Sequence, residues 1–182
     1  MNITKPFIDG LIVFQPKVFG DDRGYFFESF SKKSYKQNGL DYDFVQDNIS
    51  MSKKGAVRGL HYQVGEKAQG KLCMVISGVV LDVAVDLRFG SPTFGKYYSE
   101  ILSEENHNQI WIPPGFAHGF SVLSETAVFL YKCTEFYSKD HERAIIYNDP
   151  QLNIDWKVKN PIVSEKDMQA IFFKDIAKDF VY

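Results

Sequence analysis

The sequence has few cysteines and no long apolar run, and each shortage excludes a class of protein. Only Cys73 and Cys133 occur among 182 residues, which excludes a disulfide-stapled scaffold and predicts two small buried side chains in a reducing compartment. No segment approaches the roughly 20 apolar residues of a membrane span. The N-terminal stretch MNITKPFIDGLIVFQP has no basic region followed by an apolar run, and Asp9 interrupts it, so we expect no signal peptide and a cytoplasmic location.

The sequence also lacks an excess of charge of one sign. Its 21 basic and 23 acidic side chains leave a formal net charge of -2, which favours neither a nucleic-acid partner nor a membrane surface. The composition is otherwise that of a globular protein, 45% hydrophobic and 24% charged, so we expect residues 1–182 to bury a core as one domain. Aromatic residues make up 15% of the chain, a proportion that suits sheet surfaces and stacking pockets.

Short β-like segments follow one another along the chain, separated by glycine, proline and asparagine. In the clearest, VVLDVAVDLR (79–88), apolar residues alternate with Asp82 and Asp86 in a period of two. KLCMVIS (71–77) precedes it, and the intervening Gly78 predicts a hairpin between these two strands. Four further segments have the β pattern: GKYYSEILS, NQIWIPP, GFSVLS and AVFLYKCTEFY. This density of strands and turns predicts an all-β sandwich or barrel.

Two segments have a helical pattern. SKKSYKQNG (31–39) begins with Ser31, a candidate N-cap, and SEKDMQAIFF (164–173) begins with Ser-x-x-Asp, a spacing that resembles a capping box. We expect both helices to be peripheral to the β-structure, the second as a small C-terminal helical piece.

The segment RGLHYQ (58–63) places an arginine and a histidine in what otherwise has the pattern of a buried strand. Arg58 and His61 are three positions apart, so strict alternation would send them to opposite faces. Gly59 between them is typical of a β-bulge, which could turn both side chains to one face. Taken alone, these six residues favour a simpler interpretation, in which His61 is a hydrogen-bonded core residue and Arg58 lies at a sheet edge.

Other polar side chains lie at the start, or on one alternating face, of predicted strands in DDRGYFFESF, GEKAQGK, PPGFAHGF and AVFLYKCTEFY. They are Arg23, Glu28, Lys71, His118, Tyr131 and Tyr137. Tyr131 and Tyr137 are six positions apart, an even spacing that predicts a shared face. If these faces line one interior, a packed apolar core would not tolerate so many polar groups, whereas a cavity for a negatively charged ligand would.

Two chemistries fit such a cavity, and the first is a metal centre. Metal-binding cupins usually supply the pattern His-x-His, then a glutamate and a distant histidine. Here Gln63 stands where the second histidine would be, and the remaining candidate ligands are His61, Glu66 and His118. Two histidines and one carboxylate suffice for iron, so this alternative stays open but weakened.

The second chemistry is proton transfer without a cofactor. A neutral His61 could remove a proton from a carbon beside a ketone. Lys71 could stabilise the enolate oxygen that forms, and Tyr131 on the opposite side could return a proton. An acidic side chain would be needed to orient the imidazole and to stabilise its charged form.

Taken together, the motifs resemble those of the dTDP-4-dehydrorhamnose 3,5-epimerases. The matching stretches are DDRGYFFESF, FVQDNISMSKKGAVRGLHYQ, QGKLCMVISGVVLDVAVDLRFGSPTFGKY, IWIPPGFAHGFSVLSETAVFLYKCTEFYSKDHERAIIYNDPQLNIDW and VSEKD, and they cover most of residues 20–168. The resemblance implies a cupin-type jelly-roll β-sandwich that forms a homodimer and uses no metal or other cofactor. It also implies epimerisation of dTDP-4-keto-6-deoxy-D-glucose at carbons 3 and 5, which gives dTDP-4-keto-L-rhamnose.

The resemblance also implies roles for individual residues. His61 corresponds to the catalytic base, and Asp167 in VSEKD to the acid that orients it. Tyr131 is then the general acid on the other face, and Lys71 is the partner of the enolate. The residues implied in substrate binding are Arg23, Glu28, Gln46, Asn48, Arg58, His118, Tyr137, Glu142 and Lys166. Among these, the cations suit a diphosphate, and Tyr137 offers an aromatic face to thymine.

Three alternatives remain open at this point. Some relatives epimerise one carbon only, and the sequence does not reveal which carbons the base reaches. A metal-dependent cupin oxygenase is the rival of a different chemical class, disfavoured by Gln63. A non-catalytic sugar-nucleotide binder would have no need of a His61–Tyr131 pair.

The sequence departs from the family pattern at two places, CMV at 73–75 and Pro114. Both lie outside the proposed chemistry.

Overall fold

The computed structural model describes residues 1–182, which form thirteen β-strands, two short α-helices and three 3-10 helices. The strands are β1 (Asn2–Thr4), β2 (Ile12–Gln15), β3 (Phe19–Asp21), β4 (Gly24–Phe26), β5 (Gln46–Lys53), β6 (Val57–Gln63), β7 (Lys71–Ser77), β8 (Val79–Asp86), β9 (Tyr97–Ser103), β10 (Gln109–Ile112), β11 (Phe116–Val122), β12 (Thr126–Cys133) and β13 (Glu142–Ala144). The helices are α1 (Lys32–Gln37) and α2 (Glu165–Met168), and the 3-10 helices span Gly65–Lys67, Lys139–His141 and Phe173–Asp175. Since the longer α-helix has six residues, none of the helices could cross a membrane.

Two antiparallel sheets face each other across the core. The six-stranded sheet has the order β1-β2-β10-β7-β12-β5, and the five-stranded sheet has the order β13-β6-β11-β8-β9. Strands β3 and β4 form a separate hairpin. Many consecutive strands belong to different sheets, so the chain crosses repeatedly between the two layers. This arrangement confirms the predicted all-β sandwich and is the jelly roll that the resemblance implies.

The predicted hairpin between residues 71–77 and 79–88 is wrong. Strand β7 pairs with β10 and β12 in one sheet, whereas β8 pairs with β9 and β11 in the other, so the chain changes sheet at Gly78. This residue has φ +86°, and a Cβ there would lie 2.2 Å from the carbonyl oxygen of Thr126. The glycine marks a sharp turn, as predicted, but a local turn signal does not tell which sheet the next strand joins.

The apolar core has one part between the sheets and another beneath the C-terminal segment, on the outer side of the five-stranded sheet. Buried side chains between the sheets include Val13, Cys73, Val75, Val80, Ala84, Ile110, Phe120 and Phe129. Those on the outer side include Leu81, Val83, Val85, Trp156 and Phe173. Each large apolar side chain buried in this way contributes roughly 1.5–3 kcal/mol relative to an exposed position. Strand β8 supplies both parts because both of its faces are covered.

The two aspartates that alternate along β8 are therefore buried as well. Asp82 and Asp86 are both 0% exposed. Asp86 is held by hydrogen bonds from the loop that follows its own strand, whereas Asp82 faces His118 in the interior. The period of two in this strand thus distinguishes two buried faces rather than an interior from a surface.

Helix α1 agrees with the sequence prediction. The Ser31 hydroxyl accepts a hydrogen bond from the backbone N–H of Ser34, which makes it the N-cap. Tyr35, in the middle of the helix, is fully buried against the outer side of the six-stranded sheet. The helix therefore covers an apolar patch of that sheet and lies at the periphery, as expected.

Helix α2 begins where the sequence predicts but is much shorter than the expected segment 164–173. The Ser164 hydroxyl accepts a hydrogen bond from the backbone N–H of Asp167 at 3.1 Å, so the predicted cap is confirmed. The helix nevertheless ends at Met168. Beyond it, Ile171 forms a β-bridge with Ile145, and this tertiary pairing takes the backbone out of the helical conformation.

Candidate active site

A cavity of about 290 Å³ opens where β5, β7 and β12 of one sheet approach β6 and β13 of the other. Its lining residues are Gln46, Asn48, His61, Tyr62, Gln63, Gln69, Lys71, Tyr131, Tyr137 and Glu142. Seven of these belong to the predicted site: Gln46, Asn48, His61, Lys71, Tyr131, Tyr137 and Glu142. The cavity is therefore lined mainly by the polar side chains that a packed apolar core would not tolerate.

A β-bulge places Arg58 and His61 on one face, which is the alternative to strict alternation that Gly59 allows. The pairing of β6 with β11 shifts register between these residues, so that two β6 residues lie opposite one β11 residue. Leu60 points to the outer core, while the exposed Arg58 donates a hydrogen bond to Ser52 of β5, in the opposite sheet, at 2.9 Å. Gly59 has φ +120°, and a Cβ there would lie 2.6 Å from the Cα of the facing β11 residue. The close approach of the two strands therefore requires glycine.

His61 and Asp167 form the hydrogen-bonded pair that proton transfer requires. His61 Nε2 lies 2.6 Å from Asp167 Oδ1, and the backbone N–H of Gly59 donates to Asp167 Oδ2 at 3.3 Å. Burial opposes the charge of Asp167, yet the hydrogen bonds from His61 and Gly59 hold its pKa below the ordinary value. An ionised carboxylate can only accept a hydrogen bond, so the proton of a neutral His61 ring lies on Nε2, the nitrogen that faces Asp167. The other ring nitrogen, Nδ1, is then free to act as a base.

Tyr131 and Lys71 lie in the sheet opposite His61. Tyr131 belongs to β12, and Lys71 opens β7 as predicted; its ammonium lies 6.0 Å from the centre of the Tyr131 ring. Burial raises the pKa of Tyr131 to about 12, so the hydroxyl holds its proton at neutral pH. Lys71 is 9% exposed and takes part in no ion pair, so its charge is available to a ligand oxygen.

Tyr137, Glu142 and Lys166 form a hydrogen-bonded chain at the rim of the cavity. The Tyr137 hydroxyl donates to Glu142 Oε2 at 3.1 Å, and the Lys166 ammonium donates to the same oxygen. Burial opposes the charge of Glu142, but the hydrogen bonds from Lys166 and Tyr137 hold its pKa below the ordinary value. The ionised Glu142 therefore orients both an aromatic ring and a cation toward the opening.

Strand periodicity does not explain how Tyr131 and Tyr137 come to share the cavity. Strand β12 ends at Cys133, and Tyr137 lies in the loop that follows, so the prediction of one alternating face is wrong. The loop is held instead by side chains: the backbone N–H of Tyr137 donates to Gln46 Oε1 at 2.9 Å. Gln46 in turn donates to Asn48, two residues along β5, at 3.1 Å.

His118 lies on β11 directly opposite His61 but is deeper in the interior. It is 5% exposed, and its Nε2 lies 2.9 Å from Asp82 Oδ2. Burial lowers the pKa of His118 in spite of the adjacent carboxylate, so the ring is neutral at neutral pH. His118 is not one of the residues that line the cavity, and its contact with a substrate stays a prediction.

The three residues considered as metal ligands are not gathered by this fold. Glu66 is exposed on the short 3-10 helix before β7, and His61 bonds to Asp167 rather than to another candidate ligand. A different group of three has its ligand atoms within 4.8 Å of one another: Cys73, Asp82 and His118. The positive charge of nearby Lys71, which also lowers the pKa of His118, opposes a cation at that position.

Arg23 and Glu28 lie outside the cavity of their own chain. Arg23 is in the turn of the β3–β4 hairpin, largely exposed and paired with Asp21 at 2.6 Å. Glu28 follows β4 and lies near Tyr35, on the outer side of the six-stranded sheet. The sequence pattern places Arg23 in a turn, as observed. The alternation of Phe26, Glu28 and Phe30 predicts Glu28 in the interior, but β4 ends at Phe26, so the segment is not one continuous strand.

Sequence reasoning missed several side chains that hold the predicted site residues in place. Ser52, Gln63 and Asp82 each form hydrogen bonds to them or to their loops. Ser52 lies an even number of positions from Gln46 on β5, and Gln63 lies two positions from His61 on β6. This even spacing could have identified Ser52 and Gln63 as neighbours of the site, because residues two apart on a strand share a face.

Known proteins resemble this chain over nearly its whole length. The family model described as dTDP-4-dehydrorhamnose 3,5-epimerase matches residues 5–175. The chain belongs to this family. A dTDP-4-dehydrorhamnose 3,5-epimerase of Pseudomonas aeruginosa is 55% identical over 177 residues, which cover 96% of this chain and 97% of the relative.

Two solved structures show the same fold. The dTDP-6-deoxy-D-glucose-3,5-epimerase of Legionella pneumophila, in complex with dTDP-4-keto-L-rhamnose, gives a TM-score of 0.95 at 50% identity, covering 100% of this chain and 98% of that one. A 3'-monoepimerase of Streptomyces bikiniensis, in complex with dTDP-quinovose, gives a TM-score of 0.86 at 32% identity, covering 92% and 85%. The predicted jelly-roll epimerase fold is thus confirmed, and proteins named as double and as single epimerases both share it.

Proposed function

We propose that this protein is a cofactor-independent epimerase of dTDP-L-rhamnose synthesis, which converts dTDP-4-keto-6-deoxy-D-glucose into dTDP-4-keto-L-rhamnose by inverting carbons 3 and 5. The observation that carries the proposal is the arrangement of the cavity. The His61–Asp167 pair is on one side, and Tyr131 with Lys71 belongs to the opposite sheet. Inversion beside a ketone needs a base on one face of the carbon and an acid on the other, and these residues supply both.

In the proposed mechanism, neutral His61 removes the proton from a carbon adjacent to the C4 ketone. Ionised Asp167, 2.6 Å away, stabilises the resulting imidazolium and keeps the ring in place. The electron pair of the broken C–H bond moves into an enolate, whose oxygen is stabilised by the Lys71 ammonium. Tyr131 then donates its proton to the opposite face of the same carbon, and proton exchange with solvent returns both residues to their starting states.

The nucleotide half of the substrate is assigned to the rim of the cavity. The Tyr137 residue is 55% exposed and offers an aromatic face to thymine. Arg58 is not among the residues that line the cavity, but it is exposed on β6 and takes part in no ion pair, and a guanidinium suits diphosphate oxygens. Because these contacts are remote from the reacting carbons, their binding energy serves to position the sugar over His61.

Substitutions at the rim are expected to act mainly on KM. Arg58→Ala should raise KM for the dTDP-sugar by about tenfold or more while lowering kcat much less, because it removes a binding contact and no reacting group. Tyr137→Phe should be milder, since the ring survives and only its hydrogen bond to Glu142 is lost. Steady-state kinetics of both variants provide the measurement. Complete loss of turnover in Tyr137→Phe would make Tyr137, and not Tyr131, the better candidate for the acid.

We also propose a homodimer in which the β3–β4 hairpin of one copy completes the cavity of the other. Arg23 and Glu28, expected to contact substrate, lie outside the cavity of their own chain. Tyr25 and Phe26 of the hairpin are 60% and 69% exposed. Strand β5, which carries two cavity residues, is a sheet edge whose Ile49 is 65% exposed. Exposed apolar side chains on a hairpin and on an edge strand are typical of surfaces that pair with another chain.

Mixing two defective variants tests whether the hairpin acts on the partner's cavity. Arg23→Ala and His61→Ala, each of low activity alone, are co-refolded in equal amounts. Random pairing leaves one intact site in each mixed dimer, or about a quarter of all sites. We expect activity to recover toward that fraction, and light scattering to give the mass of two chains. A mixture no more active than the sum of its parents would place Arg23 outside the partner's site.

The proposed reaction is tested by solvent deuterium. The purified protein is incubated with dTDP-4-keto-6-deoxyglucose in deuterium oxide, with and without a strong chelator, and NMR locates the deuterium. We expect it at carbons 3 and 5 in both samples. Deuterium at one carbon would favour a single-site epimerase, an alternative supported by the similarity to a 3'-monoepimerase. Activity lost to the chelator would indicate a metal-dependent enzyme, and no exchange in either sample would indicate a binding protein.

A cytoplasmic location is part of the same proposal. Cys73 and Cys133 are both buried and free, as in proteins kept in a reducing compartment. Fractionation of cells that produce the protein would test this location directly.

A further inference from the structure

We infer that Gln63 is a positioning residue for substrate binding, which fixes the backbone around Tyr137 and so places the thymine-stacking ring relative to His61. The inference rests on the proposed function, because it takes Tyr137 as the nucleotide contact. At this position the metal-binding cupins supply a ligand. The hydrogen bonds of Gln63 indicate a different task.

The ring of Tyr137 has too little packing to fix its place. The residue is 55% exposed and lies in the loop between the end of β12 at Cys133 and the 3-10 helix Lys139–His141. Residues 135–138 have no strand partner, so their peptide groups depend largely on side chains for hydrogen bonds. The hydroxyl is held by Glu142, and the rest of the ring position is determined by whatever holds this backbone.

Gln63 holds that backbone on both sides of Tyr137. Its Nε2 donates to the carbonyl oxygens of Phe136 at 3.1 Å and of Lys67 at 2.7 Å. Its Oε1 accepts from the backbone N–H of Ser138 at 2.7 Å. The Phe136 carbonyl and the Ser138 N–H belong to the two peptide groups that flank Tyr137, so both of these groups bond to the same side-chain amide.

The chemistry of these three bonds is specific to an amide. The Gln63 side chain uses two donors and one acceptor at once, and the residue is 5% exposed, so water does not readily replace a lost partner. A glutamate would keep the acceptor but would oppose two carbonyl oxygens, and a methionine would fill the volume without any strong hydrogen bond. Loss of the amide therefore removes the bonds on both sides of Tyr137 and weakens the hold on the loop, which keeps the bond of the Tyr137 N–H to Gln46.

Strand β6 links this anchor to the catalytic base. Gln63 follows His61 by two residues on the same face, about 6.6 Å along the strand. The base and the anchor of the stacking ring thus belong to one rigid element, so the thymine end and the reacting carbon keep a constant separation.

The inference is tested by the affinity of Gln63→Met for dTDP and for inorganic pyrophosphate, measured by calorimetry beside the wild type. The variant should bind dTDP about tenfold or more weakly, a loss of about 1.4 kcal/mol. It should bind pyrophosphate as the wild type does, because pyrophosphate has no base to stack. With the dTDP-sugar, KM should rise by a similar factor while kcat changes less than about threefold. Equal loss of affinity for both ligands, or no loss for either, would overturn the inference.

A double-variant cycle with Tyr137→Ala separates positioning from general damage. In a chain that already carries Tyr137→Ala, Gln63→Met should weaken dTDP binding little further, because the ring that it positions is gone. Additive losses would show that Gln63 acts without Tyr137 and would overturn the inference. Ser124→Ala is the matched control: its hydroxyl bonds to Val79 and Thr126 at the other end of β12, and its removal should leave both affinities unchanged.

A second variant keeps the test decisive if Gln63→Met does not fold. Gln63→Leu also lacks the donors and the acceptor and adds no charge to the cavity, so the same selective loss of dTDP affinity is expected, and its absence would count against the inference. Turnover by the wild type is measured separately through deuterium exchange. If that exchange failed, the proposed function would fall, while the comparison of dTDP with pyrophosphate would still decide the role of Gln63.

Discussion

His61→Ala will remove turnover, lowering kcat/KM by at least about a thousandfold. The reason is that the task proposed for His61 exists only in the proton-transfer step, so no other side chain can replace it at that face of the sugar. Binding of dTDP should stay within about twofold of the wild type, since the nucleotide contacts lie at the rim. NMR of the dTDP-sugar measures the turnover, and calorimetry measures the binding.

Substitution of the neighbouring carboxylate, Asp167, should give a smaller loss of activity in the same assay. Asp167→Asn keeps the shape of the side chain but removes the charge that holds the imidazole in one tautomer and stabilises its protonated form. We expect kcat to fall by about a hundredfold or more in this variant, with dTDP binding again preserved. Turnover by His61→Ala near the wild-type rate would end the assignment of the base, whatever Asp167→Asn shows.

Tyr131→Phe will separate removal of the proton from inversion. Product formation should fall by about a hundredfold or more because the acid on the second face is lost. The base remains, so hydrogen at the carbons beside the ketone should still exchange with solvent deuterium, with the original configuration retained. The raised pKa of Tyr131, about 12 because of burial, means that the wild-type hydroxyl is protonated at neutral pH and can act as the donor.

Solvent exchange and inversion are measured in one sample by following deuterium in the recovered substrate and in the product. Exchange into substrate without product is the expected pattern for Tyr131→Phe. Lys71→Met serves as the comparison, because a chain without the enolate partner should lose exchange and product together. If Tyr131→Phe formed product as fast as the wild type, the acid would have to be sought elsewhere on that wall.

Local signals in the sequence predicted those features that depend on a few neighbouring residues. The bulge at Gly59 follows from a glycine between two polar residues of a buried strand, and the structure contains the predicted register shift. The cap at Ser31 follows from a serine before a helical run, and its hydroxyl is bonded as expected. In both cases the deciding contact is made within, or directly beside, the segment that carries the signal.

Features that depend on distant parts of the chain could not be read in this way. The turn at Gly78 is real, but the sheet that β8 joins is decided by the partners of β8, which follow it in sequence. The place of Tyr137 is decided by the hydrogen bonds of its loop rather than by strand period. Arg23 is predicted as a substrate contact, yet in a single chain it is paired with Asp21 and is not among the residues that line the cavity.

Helix α2, which has four residues, contains one feature that the sequence predicts and one that it does not. In a capping box the acid at the third helical position bonds back to the N-cap residue. Asp167 occupies that position and donates its backbone N–H to the Ser164 hydroxyl, but its carboxylate bonds to His61 and to the backbone N–H of Gly59. The sequence pattern predicts the cap correctly, whereas the partner of the acid is determined by the active site.

The bond between His61 and Asp167 joins residues 106 positions apart, and this separation has a consequence for synthesis on the ribosome. Strands β5 to β13 all precede Asp167 in the chain, so every wall of the cavity can emerge and pair before the carboxylate is translated. A nascent chain released short of α2 would therefore have the cavity walls but no oriented base. Catalytic competence would then arise only late in translation, once nearly the whole jelly roll had been made.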